Sequence, residues 1–172
     1  MRKLRKIQEL AVYHVTARAV HRRTLLDPRP VKEMFLKVLA RAKLKFNFKI
    51  ENFVLMDNHF HFIIRPGMGE NLSNIMKWIL QTFAIRYNKI HGLWGHFWGG
   101  RFSSSIIPSF REFIRIFEYI DNNPVNAGLV KDSIDWPWGG SAFRRSGQTG
   151  IIEELSAWLR VLFPGHLPDS NL

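Results

Sequence analysis

Apolar and polar positions along the 172-residue chain fall into blocks with two different periods. Ala11 to Val20 (AVYHVTARAV) alternates with period two and predicts a first strand. Arg22-Arg23 and Asp27-Pro28-Arg29-Pro30 then read as a loop. From Val31 to Leu44 the period changes: Val31, Met34, Phe35, Val38, Leu39 and Ala42 recur at three-and-four spacing, which predicts an amphipathic helix. Phe46 to Met56 and Asn58 to Arg65 are aromatic-rich runs parted at Asp57-Asn58, a hairpin signal. Asn71 to Ile90 predicts a second helix, with Ile75, Trp78, Ile79, Thr82 and Phe83 on one side.

Beyond it, His91 to Arg101 (HGLWGHFWGGR) reads as a loop entering a short strand, Phe102 to Ile107. Ser109 to Asn122 predicts a third helix, capped by Ser109 with Glu112 three residues on. Asn123-Pro124 ends it, because the residue before a proline is pushed out of helical geometry. Trp136 to Gly140 predicts a turn, and Ile151 to Phe163 a last helix before a polar tail. The hairpin requires an antiparallel pair, so the expected class is α+β, an antiparallel sheet with helices packed on it. No repeat or linker divides the chain: residues 1–145 are expected to form one domain, with 146–172 a C-terminal helix and tail appended to it.

Composition narrows the chemistry. With 46% hydrophobic residues, 14 Phe and 6 Trp, the chain has enough apolar side chains to close a core by itself. The absence of Cys excludes disulfides, thiolate zinc sites, iron–sulfur clusters and a cysteine nucleophile, so any metal must take nitrogen and oxygen ligands. No apolar run follows the basic N-terminus and none reaches the length of a membrane span, so the expectation is an intracellular, soluble protein without a membrane partner. Residues 1–50 carry 14 Lys and Arg against 3 acidic residues, whereas residues 51–172 carry 11 against 11. A cationic block of this kind favours a polyanion, above all nucleic acid, through release of condensed counterions. Taken singly, Lys32, Lys37, Arg41, Lys43 and Lys45 are more simply the solvated face of a helix.

His59 and His61 flank Phe60, so the period-two strand puts both imidazoles on one face, about 7 Å apart along the chain and able to share a metal. Seven histidines in the chain make this pair a weak signal alone, and two hydrogen-bonded histidines on a half-buried face would look the same. Tyr119 and Asn123 share a helix face at a spacing of four. A phenol can attack a phosphodiester if a cation or base gives it phenolate character; an interfacial tyrosine and a capping asparagine are the plainer alternative. Trp94, Phe97, Trp98, Arg101 and Phe102 lie in a glycine-rich stretch, suited equally to stacking on unpaired bases or to anchoring a loop on the core.

Taken together, these segments resemble the single-tyrosine HUH transposases, in particular the branch associated with repetitive extragenic palindromes. The resemblance is carried by Tyr13-His14-Val15-Thr16 with Arg18, by Val54 to His61, by His96-Phe97-Trp98-Gly99-Gly100-Arg101-Phe102, and by Tyr119-Ile120 with Asn123 to Val130, over residues 11–142. Asp57 stands where proline is common, Gly99 where glutamine is common, and Gly139-Gly140 where serines are usual, departures that bear on loop geometry and target preference.

The resemblance implies a ferredoxin-like HUH sheet and cleavage and rejoining of single-stranded DNA at hairpins. By it, Tyr119 is the nucleophile of a 5′-phosphotyrosine intermediate, His59, His61 and Asn123 are ligands of a divalent ion, Mg2+ or Mn2+, and no nucleotide cofactor is needed. Arg18, Arg22, Arg23, Trp98 and Arg101 would bind DNA. It further implies a bacterial cytoplasm with the nucleoid as location, and in some relatives a homodimer that exchanges active-site helices. Two other classes fit the residues: a basic DNA- or RNA-binding protein that cuts nothing, and a metal-dependent nuclease that forms no protein adduct. Tyr13 and Tyr87 are the competing phenols, ranked below Tyr119.

Overall fold

The computed structural model describes residue 8 and residues 10–148 and 150–168. Most of the basic N-terminal segment and the end of the polar tail lie outside the described residues. Four strands, β1 (Tyr13–Arg18), β2 (Phe48–Leu55), β3 (His59–Pro66) and β4 (Ser103–Ile106), form one sheet in the order β2-β3-β1-β4. Every neighbouring pair is antiparallel. The α+β class expected from the hairpin is therefore the one observed.

Alternation along the strands sorts the sheet into two faces. Tyr13, Val15 and Ala17 of β1 and Phe60, Phe62 and Ile64 of β3 join the larger core, covered by α1 (Arg29–Lys45) and α2 (Leu72–His91). Strand β2 reaches that core through Phe48 and Ile50 and then through Phe53 and Leu55, a change of parity that a β-bulge between Ile50 and Asn52 makes possible. The opposite face carries Val54 and Ile63, packed under α3 (Phe110–Asp121) through Ile116, Phe117 and Ile120.

Both central helices end where their sequences direct. Asn71 caps α2 by accepting from Ser73 N–H at 2.8 Å, and Gly92 closes it in the left-handed region at φ 61°. Ser109 caps α3 by accepting from Glu112 N–H.

Two sequence expectations are corrected. Asn123-Pro124 does not end the helical path: α3 stops at Asp121, Asn122 keeps helical angles, and a short α4 (Asn123–Asn126) takes Pro124 in its first turn, where its missing N–H costs nothing. The predicted helix from Ile151 to Phe163 is confined to α6 (Ala157–Leu162). Ile151, Ile152 and Leu155 are buried from an irregular segment instead, with Glu153 N–H donating to Ile50 O, so tertiary burial overrode the helical spacing. A further short helix, α5 (Gly140–Arg145), follows the tryptophan turn. At Gly140 a Cβ would stand 2.0 Å from the Asn52 side-chain oxygen, so the close packing of α5 on β2 requires glycine there.

The hairpin tip is tied down by charge. Buried Lys32 of α1 donates to Asp57 Oδ1 at 2.6 Å and to Asp27 O at 2.9 Å, beneath the Trp136 ring. Asp57, where the resemblance favours proline, thus has an internal partner. Among the described residues, no helix is long and apolar enough to cross a membrane.

Candidate active site

Strand alternation leaves His14, Thr16 and Arg18 on the α3 face of β1, and antiparallel pairing puts Thr16 opposite His61 and Arg18 opposite His59. The two predicted imidazoles are neighbours there, with ring centroids 5.0 Å apart. Above them α3 brings Tyr119, whose ring meets His61 edge-on at a centroid distance of 5.3 Å and His14 at 6.2 Å. Tyr119 is 45% exposed, so its phenol is open to a ligand. One turn later Asn123 is buried beside His59. All four predicted residues meet within a single chain.

Hydrogen bonds set which imidazole nitrogen faces outward. Asn58 Oδ1 lies 2.6 Å from His59 Nδ1, and because an amide oxygen only accepts, Nδ1 carries the proton and Nε2 the lone pair. His61 Nδ1 lies 2.9 Å from His14 Nε2, while His61 Nε2 is buried without a partner. A buried nitrogen left unpaired costs free energy that a bound ion would offset. Burial, followed by the Arg18 charge, drives His59 down to about 4. Burial, then His14, His59 and Arg18, drives His61 down to about 3. Both rings are therefore neutral near pH 7, the form that ligates metal.

Among the described residues, no group of three or more His, Cys, Asp or Glu side chains forms a metal site. The donor set is instead two neutral imidazoles and an amide. It fits a hard or borderline divalent ion that keeps several water ligands.

The helix end that carries Tyr119 and leads to Asn123 is fixed from behind. Asp121 accepts from Asn52 Nδ2 at 2.9 Å and pairs with buried His166 at 2.7 Å, while His166 Nδ1 meets Arg144 at 2.8 Å. The C-terminal segment thereby braces the tyrosine helix against β2.

A cleft of about 450 Å³ opens beside Tyr119 and His61 and is lined by Arg18, His21, Arg22 and Arg101 among others. His21 and Arg22 hold positive φ values of 52° and 56°, uncommon for residues with a side chain and concentrated here at the cleft mouth. Of the predicted DNA-binding arginines, Arg18, Arg22 and Arg101 thus line the cleft, whereas Arg23 is exposed but outside its lining. Trp98 differs from its predicted role: its Nε1 donates to Leu80 O, and its ring packs against Phe35, Phe60 and Phe83, which makes it chiefly a loop anchor. Trp94, in the same loop, is 98% exposed.

The competing phenols are occupied elsewhere. Tyr13 is buried and donates to Gln8 O, and buried Tyr87 stacks on His91 within the larger core.

The sequence model of the family described as Transposase IS200 like matches residues 7–123. The chain belongs to that family. This IS200-like transposase is similar to a REP-associated tyrosine transposase of Escherichia coli (strain K12), 26% identical over 125 residues, which cover 69% of this chain and 68% of the relative. Its fold matches the solved structure of a REP-associated tyrosine transposase bound to a REP hairpin, with a TM-score of 0.72, 24% identity, and 91% of this chain and 96% of that one covered. The sequence resemblance thus meets a family match and a fold match. His14 is the site residue of this transposase that sequence reasoning passed over. Its signal was present, because the alternation that buries Tyr13, Val15 and Ala17 turns His14 to the face of His59 and His61.

Proposed function

We propose that this transposase cleaves and rejoins single-stranded DNA beside a hairpin, with Tyr119 as nucleophile. The observation that carries the reading is the exposed Tyr119, whose ring meets edge-on the ring of His61, a histidine with a buried, unpartnered Nε2. Tyr119 Oη attacks the scissile phosphorus and loses its proton to solvent. The bond from phosphorus to the 3′ oxygen breaks, the departing oxygen takes up a proton as a 3′-hydroxyl, and the 5′ side remains esterified to Tyr119. Attack by a 3′-hydroxyl on that ester reverses the balance and joins strands, so no nucleotide energy source is needed.

His59, His61 and Asn123 would hold a divalent ion, Mg2+ or Mn2+, which supplies Lewis-acid stabilisation of charge at the phosphate. With His61 Nε2 turned to the ion its Nδ1 carries the proton, and His14 Nε2, 2.9 Å away, would accept that proton and orient the ring. Arg18, Arg22 and Arg101 bind the flanking phosphates. The relative named for REP sequences and the fold neighbour solved with a REP hairpin support a structured hairpin as the DNA partner.

The test is incubation of a hairpin-bearing single strand with Mn2+ and denaturing electrophoresis. A covalent protein–DNA band is expected from the wild type and none from Tyr119→Phe, with hairpin binding retained in both. A band from Tyr119→Phe overturns the assignment. Cut DNA with free 5′-phosphate and no adduct indicates a hydrolytic nuclease, and binding without cutting in any metal indicates a binding protein.

A further inference from the structure

Asp121 stands at the joint between α3 and α4, after Tyr119 and before Asn123. Its side chain is 9% exposed and both of its oxygens accept, Oδ1 from Asn52 Nδ2 at 2.9 Å and Oδ2 from His166 Nε2 at 2.7 Å. Neither donor can turn away. Asn52 Oδ1 accepts from Phe53 N–H at 3.0 Å, so its amide must present Nδ2 to Asp121. His166 Nδ1 lies 2.8 Å from Arg144 Nη1, and a guanidinium only donates, so the ring carries its proton on Nε2, facing Asp121.

The far end of this path is anchored as firmly. Arg144 donates through Nε to Glu153 O and through Nη2 to Glu51 O, and its guanidinium lies over the Phe117 ring of α3. The His166 ring packs against Phe117 and Phe163. Every hydrogen bond along the path therefore has one orientation, dictated at one end by a backbone N–H and at the other by an arginine. Arg144 and His166 both lie beyond residue 123, where the family match ends, yet their bonds converge on the joint between Tyr119 and Asn123.

We propose that Asp121 is a positioning residue for strand cleavage, and that His166 and Arg144 of the C-terminal part of the chain hold it in place. Fixing the joint fixes the rotation of the last turn of α3 about its axis. That rotation sets how the Tyr119 ring meets His61 and how Asn123 sits beside His59. A displacement of about 1 Å in such groups slows a reaction on the order of 100-fold. This inference rests on the reading of Tyr119 and Asn123 as site residues. It makes a histidine 45 positions beyond Asp121 part of the apparatus that aligns them.

The chain has 3 tyrosines, so labelling with 3-fluorotyrosine gives a fluorine spectrum in which the Tyr119 resonance is assigned by its loss in Tyr119→Phe. His166→Phe keeps the ring packing and removes both hydrogen bonds, whereas His166→Gln offers an acceptor and a donor in their place. In the metal-free protein, His166→Phe should shift and broaden the Tyr119 resonance and leave those of Tyr13 and Tyr87, buried in the larger core, as they are. It should also weaken Mn2+ binding at least about tenfold and slow adduct formation on the order of 100-fold, with hairpin affinity in EDTA unchanged. His166→Gln should restore all three. Met76→Ala, which empties part of the larger core away from the joint, should lower the thermal midpoint yet leave resonance, Mn2+ affinity and adduct rate unchanged well below it. A wild-type Tyr119 resonance and Mn2+ affinity in His166→Phe, losses that His166→Gln does not recover, or losses of the same size in Met76→Ala overturn the inference. If the wild type itself forms no adduct, the tyrosine chemistry fails, while the resonance and the Mn2+ titration still decide the positioning.

Discussion

On β3 two adjacent sets of side chains meet opposite demands. Phe60 and Phe62 are fully buried, with ring centroids 4.3 Å apart, and pack against Phe35 under α1. His59 and His61 leave the same strand on the other side, beneath a single helix and beside an open cleft, and His61 keeps an unpaired nitrogen. One face is dry and interlocked; the other is polar and incompletely satisfied. The contrast shows how a transposase of this size places reactive groups on a rigid support: the aromatic face fixes the strand, and the fixed strand holds two imidazoles in register with β1.

The sharpest way to break this comparison is to truncate one residue from each side. Phe62→Ala should cost about 3–5 kcal/mol of stability, the usual result of emptying a well-packed aromatic site. His61→Ala should change stability by no more than about 1 kcal/mol, because it also removes an unpaired buried nitrogen, while abolishing adduct formation. Urea unfolding of both variants checks this, and comparable losses in the two would remove the distinction between the faces.

A smaller effect is expected at His14. His14→Ala removes the acceptor of His61 Nδ1 and should weaken Mn2+ binding by about 10–100-fold, measured by titration of the free-ion electron paramagnetic resonance signal. Hairpin affinity in EDTA should stay the same. Unchanged Mn2+ affinity would reduce His14 to a packing residue.

A separate effect concerns pH. His59 and His61 titrate at about 4 and about 3 in the folded protein, below the ordinary imidazole value of 6.5. In that interval the unfolded chain binds more protons than the folded one, so their contribution favours folding fully above pH 6.5 and is lost progressively as pH falls toward 4. The metal-free thermal midpoint should therefore decline over that range, and decline less in a His59→Ala, His61→Ala double variant. Equal slopes would mean that the imidazoles do not sense the buried environment.

Much of this was legible along the chain. The strands and the first three helices follow from period and caps, and His59, His61, Tyr119 and Asn123 follow from spacing together with family resemblance. The segment 151–156 was not legible, since paired isoleucines bury equally well from a helix or from an irregular chain, and contact with Ile50 decided between them. The basic block also divides unexpectedly. Lys32 and Lys43 are taken up by Asp57 and Glu153, and α1 covers the face away from the histidines, so among the described residues of that block it is Arg18 and Arg22 that line the cleft. Trp98 reads as a stacking platform in a glycine-rich stretch until the aromatic cluster beneath it is seen.

Local order set by period, capping and turn chemistry was written in the sequence, because those forces act between residues a few positions apart. Which imidazole nitrogen faces outward, which tyrosine stands over it and which arginines reach the cleft were decided only by tertiary structure. Those outcomes depend on β1 pairing with β3 across 47 positions, as between His14 and His61, and on α3 crossing the face opposite α1. Contacts over such separations depend on register and packing of the whole sheet, which no local pattern encodes.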